Sequence, residues 1–245
     1  MPSTLKNRTA LVTGSTSGIG RAAALALAAQ GAHVIVSGRD AERGAAAVDA
    51  ITGAGGTAEF IAADLSTPEG AQRLAAAAVA DGRPVDILVN NAGIFPFGAT
   101  ADVTDADLHS VYMTNVLVPF ILVRELAPRM AERGSGVVIN TTSGAASKAA
   151  AGQALYGSSK ATLDYLTRAW AAEFGPSGVR VNAVSPGPTR TEGTAVLGDG
   201  PSQMAQSIPA RRVGDPTELA AAYAFLASDE ASYIHGAVLA VEGGM

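Results

Sequence analysis

Along the chain, short apolar runs rich in β-branched residues alternate with longer alanine-rich helical stretches. The apolar runs are TALVTG from Thr9, HVIVSG from His33, AEFIAAD from Ala58, VDILVNNAG from Val85, GVVINTTS from Gly136, VRVNAVSPG from Val179 and AVLAVEGG from Ala237. Each has the length and composition of a strand, and near-continuous apolar strands are those buried on both faces of a sheet. Intervening segments such as IGRAAALALAAQGA and DAERGAAAVDAITGAGG are long enough for the crossover helix that a parallel pair requires. Gly31 and Gly53 stand where the first two helices should be capped. The alternation predicts an α/β fold, a doubly wound parallel sheet of about seven strands with helices on both faces.

No composition shift or low-complexity linker interrupts this pattern, so residues 1–245 are expected to form a single domain. The longest irregular stretch, PGPTRTEGTAVLGDGPSQMAQSIPARR at residues 186–212, is expected to be a lid over a site. With 48% apolar and 16% charged residues, the chain has the material for a sizeable core. A net charge of -5 without any Lys/Arg-rich run argues against nucleic acid and anionic membrane as partners. The absence of cysteine removes disulfides, thiolate metal sites and cysteine nucleophiles, and fits a reducing cytoplasm, the expected location. His33, His109 and His235 lack ligand spacing, so no metal is expected. The N-terminus lacks the pattern of a signal peptide, and the run VLVPFILV is too short to span a bilayer.

Two motifs carry chemistry. TGSTSGIG joins the first strand to the first helix, with glycines at Gly14, Gly18 and Gly20. Glycine allows a tight turn and close backbone approach there, and a helix N-terminus offers free N–H groups and partial positive charge to a pyrophosphate. Plain turn glycines are the alternative, weakened by the position at the first strand-to-helix turn. YGSSK places Tyr156 and Lys160 one helical turn apart on one face. Alone, that pair is a solvated helix face.

The glycine loop, NNAG at 90–93, Ser143, YGSSK at 156–160 and PG at 186–187 occur in order. Together they resemble the short-chain dehydrogenase/reductase family in its compact form, a similarity that covers essentially the whole chain and implies a Rossmann-type fold. The resemblance implies reversible hydride transfer between a nicotinamide and a carbonyl or alcohol, the tyrosine being general acid/base and the lysine lowering its pKa. Bringing a phenol from about 10 to neutrality needs about 4 kcal/mol, about what one cation ~4 Å away supplies at an effective dielectric of 20. Ser143 is then a second donor to the carbonyl oxygen, and Asn115 matches a fourth active-site residue associated with a helix distortion and a proton-relaying water. Thr141 and Thr142 are expected to bond their own backbone.

Cofactor contacts carried over by the same resemblance are Gly14, Ser15, Ser17, Gly18, Ile19 and Gly20 in the loop, and Asp64 and Leu65 at the adenine. Asn91, Ala92 and Gly93 belong beside the ribose, and Pro186, Gly187, Thr189 and Thr191 near the nicotinamide and its phosphate. Tyr156 and Lys160 are expected to share the nicotinamide ribose, while Asn90 is expected to tie strands together. At the end of the second strand Gly38 stands where an NAD-preferring site carries an acid, and Arg39 follows. NADP(H) is therefore expected in preference to NAD(H), the latter still usable, with Asp40 read as a helix N-cap.

A small-molecule carbonyl or alcohol is the expected substrate, in a pocket drawing on Ala145, Gln153, IFPF at 94–97, Val196 and Met204. The family commonly forms tetramers, so a homotetramer or homodimer is expected through residues 104–132, 154–174 and the last strand. A 3-oxoacyl-carrier-protein reductase remains an alternative, with Arg129 and Arg133 as a docking patch. Against it, the chain is acidic and Ser177 stands where such reductases often place a base. A catalytically silent dinucleotide sensor or scaffold is a second alternative, disfavoured by the complete Asn115, Ser143, Tyr156, Lys160 set. Sugar-nucleotide epimerases or dehydratases usually carry a longer C-terminal domain.

Overall fold

The computed structural model describes residues 5–245. Seven strands form one sheet: β1 (Thr9–Thr13), β2 (His33–Gly38), β3 (Thr57–Ala62), β4 (Ile87–Asn90), β5 (Gly136–Thr141), β6 (Val179–Pro186) and β7 (Val238–Val241). Their order is β3-β2-β1-β4-β5-β6-β7, and every pair is parallel. The helices are α1 (Gly18–Ala29), α2 (Ala41–Gly53), α3 (Pro68–Ala77), α4 (Asp105–Tyr112), α5 (Val118–Glu132), α6 (Ala154–Phe174), α7 (Gly200–Gln206) and α8 (Pro216–Ala227). The doubly wound expectation is met in strand number, direction and helix placement.

Two apolar cores flank the sheet. One gathers Leu74, Leu122, Leu126, Met130, Leu163 and Trp170 from α3, α5 and α6. The other gathers Leu27, Ile51, Leu219, Tyr223 and Leu226 from α1, α2 and α8. Strand order reverses between β1 and β4, and the carboxyl ends of those strands open the crevice where ligands bind in such sheets.

A buried polar thread fixes α6 against this sheet. Asn90 Nδ2 donates to Asn140 Oδ1 at 2.9 Å, and Asn140 Nδ2 donates to Thr167 Oγ1 at 2.8 Å. Asn90 thus ties strands together, as expected, and the thread extends to α6. Buried amides are costly unless paired. The bonds therefore select one register of α6 over β5, which brings Tyr156 and Lys160 to the carboxyl end of that strand.

Between α4 and α5 the helix widens into one π turn, Met113–Leu117, centred on Asn115. Pro119 supplies the reason: it has no N–H for the Asn115 carbonyl four residues back, and its ring crowds that carbonyl. The whole span, Asp105–Glu132, is long and apolar enough to cross a membrane, but half of that apolar window is buried inside the protein. Burial against the sheet and α3 accounts for the composition.

Some sequence expectations shift in detail. Gly53 ends α2 as a helical residue, and the positive φ that follows belongs to Gly55, at 85°. Gly31 takes φ 95° beyond the end of α1, as expected. The 186–212 stretch is not structureless, for it contains a short 3-10 turn at Ala195–Leu197 and α7.

Candidate active site

The turn after β1 places Gly14 and Gly18 at positive φ, 62° and 52°. A Cβ on Gly20 would lie 2.4 Å from the Gly14 carbonyl oxygen and 2.3 Å from Asn91 Nδ2. The loop therefore closes directly on the end of β4. Asn91 Nδ2 completes the closure by donating to the Thr13 and Gly14 carbonyls at 2.9 and 3.1 Å. Ser15 is the exception among the loop residues. It is buried, donating to the Val12 carbonyl and accepting from the Ser37 N–H, so its hydroxyl joins β1 to β2 and is withheld from the cleft. Thr16 lines the cleft in its place.

A single cleft of about 1240 Å³ runs from this loop to α6. Gly14, Ser17, Gly18, Ile19, Gly20, Arg39, Asp64, Leu65, Asn91, Ala92 and Gly93 line it, and so do Ser143, Tyr156, Lys160, Pro186, Gly187, Thr189 and Thr191. Sequence-distant residues thus converge as the motifs implied. Asp40 caps α2, its Oδ1 accepting the Arg43 N–H at 3.0 Å, while its Oδ2 holds Arg43 Nε at 3.2 Å. Arg43 lines the cleft beside Arg39, a second cation that the sequence reading did not single out. Asp64 accepts the Ser66 N–H at 3.0 Å, which holds its carboxyl below the usual carboxylate range.

Around α6, Lys160 is buried and its Nζ donates to the Thr141 carbonyl at 2.8 Å. Burial lowers its pKa to about 8, against the opposing pull of Asp164 one turn further on. Nζ lies 5.9 Å from the centre of the Tyr156 ring. The Tyr156 phenol is raised above its ordinary value by burial, an effect only partly offset by hydrogen bonding with Ser143. The expected lowering by Lys160 is thus absent from the chain's own electrostatics, because the ammonium is turned to the strand end. Gly93 explains how the backbone fits so closely here, since a Cβ on it would come 3.3 Å from Lys160 Nζ and 3.2 Å from Asn115 Oδ1.

Asn115 is fully buried behind the cleft wall. Its Oδ1 accepts the Ile94 N–H at 2.9 Å, and its Nδ2 donates to the Ile94 carbonyl and to Ser159 Oγ at 2.8 and 3.0 Å. It therefore positions the segment after β4 and α6, and the helix distortion implied for it is the π turn. Thr141 and Thr142 both depart from expectation: the Thr141 hydroxyl pairs with the buried Tyr223 hydroxyl at 2.7 Å, and the Thr142 hydroxyl donates to the Val184 carbonyl on the neighbouring β6 rather than to its own backbone.

The far end of the cleft is largely apolar. Phe95 and Phe97 stand edge-on to Tyr156, with ring centres 6.3 and 5.9 Å away. Ala145, Gln153 and Met204 line this end as expected, whereas Val196 is 83% exposed and Leu197 takes the lining position. Lys148 is the cation here, and Glu242, itself buried, neutralises it at 2.5 Å. Arg129 and Arg133 do not belong to this site. They border a separate 240 Å³ hollow with Arg83, at the amino end of β4, where Arg133 donates to the Val85 carbonyl. Among the described residues no cluster of metal-ligating side chains occurs.

Known proteins agree with this geometry. Residues 14–245 match a family profile described as "Enoyl-(Acyl carrier protein) reductase". The L-rhamnose 1-dehydrogenase (NAD(P)(+)) of Azotobacter vinelandii is 39% identical over 249 residues, covering 98% of this chain and 97% of the relative. A solved short chain dehydrogenase/reductase family protein is 47% identical with a TM-score of 0.91, covering 98% of each chain. The NADP-bound 3-oxoacyl (acyl-carrier-protein) reductase of Agrobacterium tumefaciens is 32% identical with a TM-score of 0.94, over 99% of this chain and 96% of its own. With glycine loop, strand-end crevice and Tyr-x-x-x-Lys helix in one cleft, the chain belongs to the short-chain dehydrogenase/reductase family.

Proposed function

We propose that the protein is an NADP(H)-preferring oxidoreductase that interconverts a carbonyl compound and its alcohol, with Tyr156 as the general acid/base. The observation that carries this reading is the meeting of Tyr156, Ser143 and Lys160 in the cleft that begins at the glycine loop. The loop fits a dinucleotide: its glycines let it turn tightly and pack against Asn91, Ala92 and Thr191, and it delivers the chain to the α1 N-terminus, which has no acid in its first turn and is a favourable place for a pyrophosphate. When bound, the nicotinamide supplies the hydride, and its oxidised ring a positive charge.

The chain's own residues handle the proton. A phenol raised by burial keeps its proton at neutral pH, the state required of a donor to a developing alkoxide. Ser143 is the second donor to that oxygen. Lys160, with a pKa of about 8, is mostly charged at pH 7 and would stabilise negative charge on the tyrosine oxygen once its ammonium turns from the Thr141 carbonyl toward it. Phe95, Phe97, Leu197 and Met204 around Tyr156 favour an apolar carbonyl substrate.

NADP(H) preference rests on Arg39 just after β2 and Arg43 in the first turn of α2, with Asp40 engaged by Arg43 and α2. Bidentate guanidinium contacts suit a 2′-phosphate. Self-association, as a tetramer or dimer, is supported by exposed Leu108, Leu117, Phe120 and Tyr165 along α4 to α6. Location in the cytoplasm is consistent with the cysteine-free composition. A screen of ketones and aldehydes against NADPH, read at the reduced nicotinamide absorbance, tests the reading. Turnover of apolar carbonyls supports it, and dinucleotide binding without turnover of any carbonyl would leave a sensor.

A further inference from the structure

One acidic side chain, from the stretch that forms the opposite wall of the cleft, closes on the glycine loop. Glu192, on the stretch after β6, accepts the Gly18 N–H with Oε2 at 2.9 Å. That N–H opens α1, whose N-cap Ser17 makes no side-chain cap bond and whose first turn carries no acid. The helix thus leaves its N-terminal donors and partial positive charge to an outside anion. No Lys or Arg pairs with Glu192 among the described residues. The contact is close on both sides, since Thr191 Cβ would lie 3.1 Å from a Cβ on Gly18.

We propose that Glu192 is a built-in competitor for the dinucleotide pyrophosphate, holding the Gly18 N–H and withdrawing when the cofactor seats. The inference rests on the cleft being a dinucleotide site. A single N–H has one place for a strong acceptor, and two anions at one helix N-terminus repel. Glu192 therefore weakens cofactor binding and ties the 186–212 stretch to the glycine loop. The neighbouring Gly193 lies beside Phe95, which stands against Tyr156, since a Cβ on it would come 3.3 Å from Phe95 Cζ.

The test is a fluorescence titration of wild type and Glu192→Gln with NADPH, NADH and adenosine 2′-phosphate. Glutamine keeps an acceptor of the same length and removes the charge. Both dinucleotides should bind about two- to fivefold tighter, the range expected for one charge at a helix N-terminus. Adenosine 2′-phosphate, which lacks the pyrophosphate, should bind unchanged. Stopped-flow association should reach a plateau rate with wild type and a higher plateau, or none, with the variant. Equal or weaker dinucleotide binding by the variant overturns the competitor role while leaving the cofactor reading intact. Tightening that extends to adenosine 2′-phosphate also overturns it, by showing a general change in the cleft. A wild type that binds neither dinucleotide overturns both.

Discussion

The Lys160 ammonium donates to the Thr141 carbonyl at 2.8 Å, and the Thr141 hydroxyl in turn meets Tyr223. The Lys160 cation is therefore anchored to the end of β5 in a buried setting, with consequences for stability as a function of pH. Its pKa falls from 10.5 to about 8 on folding. Between those values the unfolded chain binds more protons than the folded one, so stability rises with pH through that window. The gain is at most about 3 kcal/mol by the usual conversion of pKa into free energy. Burial raises the Tyr223 phenol above 10.0, which works the other way as pH climbs past the tyrosine range. Urea denaturation should thus show higher stability at pH 9.5 than at pH 7.5, and Lys160→Met should flatten the difference.

Tyr156→Phe removes a hydroxyl and leaves the ring against Phe95 and Phe97, so folding and dinucleotide affinity should persist. Turnover of a confirmed carbonyl substrate should fall by far more than tenfold. Retention of more than a tenth of the rate, a barrier change under ~1.4 kcal/mol, would assign the proton to another group.

Cofactor choice is tested at the end of β2. Arg39→Leu should lower kcat/KM with NADPH more than with NADH. Introducing Gly38→Asp alongside it should favour NADH, but a Cβ at Gly38 would lie 2.6 Å from Thr16 Cγ2 and 2.9 Å from Thr16 Oγ1. The reversal should accordingly be stronger when Thr16→Ala is added. A wild type with higher kcat/KM for NADH would refute the assigned preference.

Gly20→Ala separates helix propensity from packing. In an open helix the change would gain up to about 1 kcal/mol. Here the methyl would meet the Gly14 carbonyl and the Asn91 amide, and such overpacking costs about 1–3 kcal/mol. Thermal denaturation should show net destabilisation, and dinucleotide affinity should fall with it.

The exposed apolar face of α4 to α6 is tested by Phe120→Glu. Phe120 is 45% exposed and packs edge-on to Trp170, with ring centres 5.7 Å apart. Light scattering should report a multiple of 24.5 kDa for the wild type and a smaller particle for the variant. A wild type already monomeric at micromolar concentration would refute self-association through this face.

Whatever depends on spacing within one segment was legible in the sequence. Tyr156 and Lys160 share a face because helical periodicity dictates it, and the glycine loop announces its turn through residues that tolerate positive φ. The sheet followed from apolar runs too continuous to be half-exposed. What was not legible depends on segments far apart meeting. Nothing in the local sequence distinguishes Ser15 from Thr16, yet one joins two strands and the other faces the cleft. The contact of Glu192 with Gly18 spans 174 positions, and Arg43 enters the cofactor end only because α2 starts where Asp40 caps it. The direction of Lys160 was also hidden, because a flexible stem goes where a buried carbonyl needs a donor.

The π turn at Asn115 has one more consequence, best expressed as phase. An α-helix advances about 100° per residue, so Met113, Leu117 and Phe120 would share a face in an uninterrupted helix. In the protein Met113 is 1% exposed, while Leu117 and Phe120 are 46% and 45% exposed. The one-residue slip enforced by Pro119 works as a rotation between two halves of a single rod. The turn itself aims Asn115 inward to brace the wall of the cleft, and from its end into α5 the large apolar side chains Leu117 and Phe120 turn outward. One proline thus sets both the inner scaffolding and the outer face, so a change that restored the regular helix would disturb them together.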